Sequence, residues 1–147
     1  MKQKKSIQQL RKEVPFNYGV CIHADCPQAS ACLRHDAFVA LCSRCDYMRL
    51  INPTRCTTDG RCPFHASNRP ILFARGFTNF QQKMLPRQYK KFMKALTLHF
   101  GRTNYYDRRR GDRLLPPEEQ KVILKALERA GVTEEMTFDD YEEGVLW

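Results

Sequence analysis

The stretch Pro86–Gly131, PRQYKKFMKALTLHFGRTNYYDRRRGDRLLPPEEQKVILKALERAG, holds two amphipathic helical periods with a strongly basic segment between glycines. From Pro86 to Phe100 the apolar residues Tyr89, Phe92, Met93, Leu96 and Phe100 recur at the three-and-four spacing of one helical face. Proline suits the first turn and Gly101 ends the helix. A second, shorter helix is expected over Arg102–Arg110, stopped by Gly111. A third is expected from Pro117 to Ala130. Glu118 and Glu119 favour the positive end of its dipole, and Gly131 suits its C-terminal cap. Its buried stripe is Ile123, Leu127 and Ala130, with Leu124 at the edge.

Outward toward the N-terminus the periodicity weakens. Phe77 and Phe80 suit a helical piece running to about Met84. Ile71-Leu72-Phe73-Ala74, bounded by Pro70 and Gly76, reads as a short strand or the start of a helix. Before that, seven cysteines fall between residues 21 and 62: Cys21, Cys26, Cys32, Cys42, Cys45, Cys56 and Cys62. One helix is plausible there, from Ser30 to Cys42, on Ala31, Leu33, Ala37, Phe38 and Leu41. Asn52-Pro53 and Asp59-Gly60 mark turns. Residues 1–13 form a basic arm with some helical character. The division expected is arm 1–13, cysteine-rich lobe 14–67, helical lobe 68–132 and acidic tail 133–147. The fold class expected is mainly α: an irregular, cysteine-rich, metal-binding lobe followed by a three- to four-helix, helix-turn-helix-like lobe.

An odd number of thiols cannot all pair as disulfides. No apolar run follows the basic N-terminus and none approaches a membrane span, so a cytosolic, reducing setting is expected, with no membrane partner. Clustered thiols in that setting point to metal. Zinc takes four ligands, usually cysteine and histidine, and adds folding free energy to a loop-rich segment. Cys21, Cys26 and Cys32 lie close together in a turn-rich stretch, and Cys62 is the first choice for the fourth ligand. Cys42 and Cys45 form a half-site that, with Cys56 and His65, makes a second candidate set. His23 and His35 are further imidazoles. An iron–sulfur cluster competes with zinc, because three near cysteines and a remote one also suit a cubane. As to catalysis, His35 and His65 are available bases, but nothing singles out one thiol as a nucleophile. No phosphate-cradling loop, triad, open metal set or small-molecule substrate is evident, so no enzymatic activity is expected.

Net charge is +9, with a pI near 9.4 and a mean hydropathy of −0.59. Residues 133–147 carry −6 and no lysine or arginine, which leaves +15 on residues 1–132. Such a body attracts polyanions. Charge and chemistry coincide at Arg102, Thr103, Asn104, Tyr105, Arg108, Arg109, Arg110 and Arg113. Arginine and asparagine suit base edges, and arginine, threonine and tyrosine also suit phosphates. The bland reading places Tyr105 and Tyr106 in the core and the arginines on a solvated face or paired with the acidic tail.

This segment resembles the recognition-helix region of phage-repressor-like helix-turn-helix proteins at Arg102, Thr103, Tyr105, Tyr106, Gly111-Asp112-Arg113, Leu115, Pro117, Glu119 and Gln120. Asp112 departs from that pattern, which has glutamate. The whole chain resembles a family of small cysteine-rich proteins of gut bacteria, catalogued as a domain of unknown function. The residues that carry this are Cys21-x4-Cys26-Pro27, Ala31-Cys32-Leu33-Arg34, Asn52-Pro53, Cys62-Pro63-Phe64, Gly76-Phe77, Leu85-Pro86 and Phe100 through Gln120. The resemblance implies Cys21, Cys26, Cys32 and Cys62 as the metal set and no particular activity. Three functions follow as expectations: a zinc-stabilised DNA-binding regulator, an RNA- or ribosome-associated factor, or a metal-scaffolded interaction module. In the last, the acidic tail with Phe138, Tyr141, Leu146 and Trp147 docks a protein partner.

Overall fold

Ser6 opens the first helix. Its hydroxyl accepts from Gln9 N at 3.3 Å, and the Gln9 side chain accepts from Ser6 N at 3.0 Å, so two otherwise unpaired amides are satisfied together. The computed structural model describes residues 5–147, in two units: Met1–Pro70 with Val145–Trp147, and Ile71–Gly144. The basic arm is thus helical over α1 (Ile7–Glu13), and residues 1–4 lie outside the described part.

In the first unit, α1 packs Leu10 against Leu33 and Ala40 of α2 (Leu33–Leu41), and Val145 joins the same cluster. Arg11 Nε donates to Ala40 O at 2.7 Å. The helix expected from Ser30 to Cys42 is interrupted. A 3-10 turn covers Ala29–Ala31, and Cys32 is extended at φ −109°, ψ 118° before α2 begins. The reason is tertiary: Cys32 bridges Ser67, and Leu33 N donates to Ala66 O at 2.6 Å. Elsewhere the unit is irregular, and side chains hold its backbone. Arg34 donates to Phe64 O at 2.8 Å and Gly19 O at 2.7 Å, and lies 4.9 Å from the centre of the Tyr18 ring. The buried Asn68 donates to Ser30 O and Asp36 Oδ2.

In the second unit, β1 (Ile71–Arg75) pairs antiparallel with β2 (Asp140–Gly144), with Ile71 opposite Gly144 and Arg75 opposite Asp140. Gly144 is needed there, since a Cβ would stand 2.9 Å from Phe73 Cε2. A 3-10 helix follows at Thr78–Lys83, where a regular helix was expected. Asp139 caps it: Oδ2 accepts from Thr78 N at 2.9 Å and Thr78 Oγ1 at 2.7 Å. Helices α3 (Pro86–Phe100), α4 (Arg102–Arg110) and α5 (Pro117–Arg129) complete the unit. Phe92 and Leu96 of α3, Tyr105 of α4, and Ile123 and Leu127 of α5 close on Phe77, Phe80 and Leu115. Leu124 stays at the edge, 42 % exposed.

Two expectations change. Residues 133–147 are not a free acidic tail: Met136 and Phe138 are core residues, and β2 turns its acidic side chains to solvent. The α3–α4 junction is a single residue, Gly101 at φ 84°, ψ 157°. That is shorter than the three to four residues of a helix-turn-helix turn. The chain is mainly helical, and among the described residues no helix is long and apolar enough to cross a membrane.

Candidate metal centre and cationic surface

Turns and caps of the first unit bring distant cysteines to one place. Cys21 N donates to Arg34 O, and the turn ending in Ala29 starts at Cys26 O. Cys32 stands at the N-cap of α2. His65 N donates to Cys62 O at 3.2 Å, which folds the Cys62–His65 turn back. As a result Cys21, Cys26, Cys32, Cys56 and Cys62 line one cavity, with His23, His35 and His65 on the same wall. The cavity holds about 20 Å³, room for a single water-sized or ion-sized particle.

The Cys56 thiol neighbours the Cys21 and Cys62 sulfurs. Burial first, and then the neighbouring Cys21 and Cys62 sulfurs, push it up to about 11. Among the described residues no three His, Cys, Asp or Glu side chains stand ready in ligand geometry. Two cavity-wall atoms, His23 Nε2 and Gln28 Oε1, have no hydrogen-bond partner among the described residues. His35 Nδ1 lies 3.2 Å from Cys21 O. Buried polar atoms normally find partners, so unpartnered atoms beside clustered thiols suit a bound cation.

All of the first candidate set, Cys21, Cys26, Cys32 and Cys62, therefore meets at this cavity. The second set does not come together. Cys56 and His65 join the first, whereas Cys45 lines a separate cleft with Tyr47 and Met48, and Cys42 is exposed. Cys56 had a faint sequence signal. It precedes Cys62 by the same five-residue gap that separates Cys26 from Cys32.

The candidate nucleic-acid residues divide sharply. Tyr105 is 0 % exposed in the aromatic core, with Phe77 5.9 Å away, so it reaches no ligand. Burial, with the Tyr89 hydroxyl second, raises its phenol well above the usual value of 10.0. Arg108 is also buried. Its Nε and Nη2 donate to Glu119 at 2.8 Å each, and its guanidinium lies 4.3 Å from the centre of the Phe100 ring. Both leave the interface set, because a side chain enclosed by the core cannot touch a phosphate. Arg110 pairs with Asp107 and Asp112, Arg109 donates to Gln81 Oε1, and Asn104 donates to Phe100 O. Arg102, Thr103 and Arg113 are exposed, and neither arginine has an ion-pair partner among the described residues.

Helix α3 carries more exposed cations without ion-pair partners among the described residues than α4 does. Arg87, Lys90, Lys91 and Lys94 are exposed, and none has an ion-pair partner among the described residues. The helical period sets all four on the side opposite Phe92 and Leu96. The signal was legible: α3 contains no Asp or Glu, whereas α4 and the turn after it hold Asp107 and Asp112.

Fold and site together define a mainly helical, two-unit protein with five cysteines lining one small cavity and an exposed cationic helix face without ion-pair partners among the described residues. The chain belongs to a family of unknown function (DUF6078), whose model matches residues 1–147. No curated protein and no solved structure matches it.

Proposed function

We propose that this chain is a zinc-stabilised, non-catalytic, cytoplasmic protein that binds nucleic acid, duplex DNA first, in a regulatory role. The observation that carries the reading is the α3 face of Arg87, Lys90, Lys91 and Lys94, exposed and without acidic partners among the described residues, on a chain of net charge +9. Unneutralised cations on a rigid helix displace counterions from a phosphate backbone, which is the sequence-independent part of nucleic-acid affinity. Arg102 and Thr103, exposed at the start of α4, are the side chains left to reach base edges, with Arg113 beyond the helix.

The metal's part is structural. Zinc supplies a fixed tetrahedral cross-link, and the thiols around the cavity give an irregular unit the cohesion its small apolar cluster lacks.

The test is a binding titration on duplex DNA across salt concentrations. A steep fall of log affinity with log salt is expected, and a slope near zero overturns the reading. Competition by structured RNA at equal salt distinguishes the RNA-directed form. Metal content by elemental analysis, with the absorption spectrum, tests the zinc.

A further inference from the structure

The wall of the first unit's cavity holds an imidazole nitrogen that the fold leaves unsatisfied. His23 Nε2 is enclosed and has no hydrogen-bond partner, while Nδ1 of the same ring faces Asp25 Oδ1 at 3.5 Å. A ring with one nitrogen facing a carboxylate and the other bare suits the orientation of a metal-ligating histidine. The same cavity holds Cys56, and the sulfurs that contact Cys56 are those of Cys21 and Cys62. Residues far apart in sequence thus line one small cavity with three sulfurs and one bare nitrogen.

We propose that Cys21, Cys56 and Cys62, with His23 Nε2 as the fourth ligand, hold a single zinc ion in a closed site of three sulfurs and one nitrogen. This rests on the metal reading above and changes its ligands: Cys56 and His23 stand in for Cys26 and Cys32. Zinc with four protein ligands has no open position, so the site is structural. On loading, each of the three thiols loses its proton to solvent as its sulfur bonds the metal, and neutral His23 donates its Nε2 lone pair. The three thiolates and the divalent ion leave one negative charge. Arg34 is on the cavity wall to offset it, held by Phe64 O and Gly19 O. Asp25 Oδ1, 3.5 Å from Nδ1, would favour the His23 tautomer with the proton on Nδ1. Cys32 is held at the head of α2 by its bridge to Ser67, and with Cys26 it forms wall rather than ligand.

The experiment is zinc titration of the full chain against a chromophoric chelator, for the unaltered protein and for H23A, C56S, C26S and C32S. H23A and C56S are expected to lose zinc affinity by about 100-fold or more. C26S and C32S are expected to keep one equivalent at the unaltered affinity. Since a cysteine variant can simply misfold, two readouts use the unaltered chain. Zinc binding should release about three protons per ion. Cobalt substituted for zinc should give a tetrahedral spectrum with charge-transfer intensity for three thiolates. A four-thiolate spectrum, or H23A and C56S binding as tightly as the unaltered chain, overturns the ligand set. Zinc bound by the unaltered chain and lost only in C26S or C32S sinks this proposal and leaves the metal reading standing. An unaltered chain that binds no zinc sinks both.

Discussion

Arg108 and Arg110 are two residues apart on one helix, yet their surroundings give them different work. Arg108 is desolvated, and both its donors toward Glu119 are matched by a two-pronged contact. Removing one partner of a buried pair leaves the other charge unsatisfied, so R108A is expected to cost about 3 kcal/mol. Urea denaturation of the full chain checks it, and a loss under about 1 kcal/mol would show that Glu119 re-solvates freely. Arg110 is half-exposed and shared between two aspartates, so its removal should change little. Tyr105 gives the residue scale a pH signature. Its proton is held more tightly folded than unfolded, so the stability it contributes is complete below pH 10.0 and drains away as pH rises further. The guanidinium midpoint should therefore fall above pH 10.0, and more gently in Y105F. Identical profiles for the two chains would refute the assignment.

At the scale of elements, α3 and α4 exchange the roles that composition suggests. The densest arginine run lies on α4, but three of its arginines are occupied by Glu119, by Asp107 and Asp112, and by Gln81. The lysines of α3 have no such partners among the described residues. Substituting Lys90 and Lys91 by alanine should lower the salt slope of DNA binding by about 2, one for each cation removed. The R110A chain should keep the unaltered slope within error. The reverse ranking, with R110A the more damaging, would return the interface to α4. The helices themselves were legible: the three-and-four spacing and the flanking Pro86, Gly101, Gly111 and Pro117 define α3, α4 and α5 to within a residue. Apolar period and chain-breaking residues are local, and local physics decides where such helices start and stop. The break at Cys32 was not legible, because a remote segment carrying Ser67 imposes it.

Across the molecule, the C-terminal segment shows how composition misleads. Six acidic residues in fifteen read as a solvated tail. In the fold, Met136 and Phe138 fill the second unit's core, β2 completes its sheet, and Val145 and Trp147 pack in the first unit. Burying Met136 and Phe138 is worth about 1.5–3 kcal/mol each, a large share of a typical domain's 5–15 kcal/mol. A chain ending at Val132 should therefore lose cooperative thermal unfolding. If it melts like the full chain and binds DNA more tightly, the segment is instead an acidic tail that competes with DNA for the cationic surface. The amino-acid order alone determined the mainly helical second half, the thiol-rich first half and the excess of positive charge, since period, spacing and charge count are properties of neighbours along the chain. Only the tertiary structure decided that Cys56 stands with Cys21 and Cys62 and that Arg108 is enclosed. Each of those depends on which surfaces exclude water and which side chains meet across loops, and distance in space is not written in distance along the sequence.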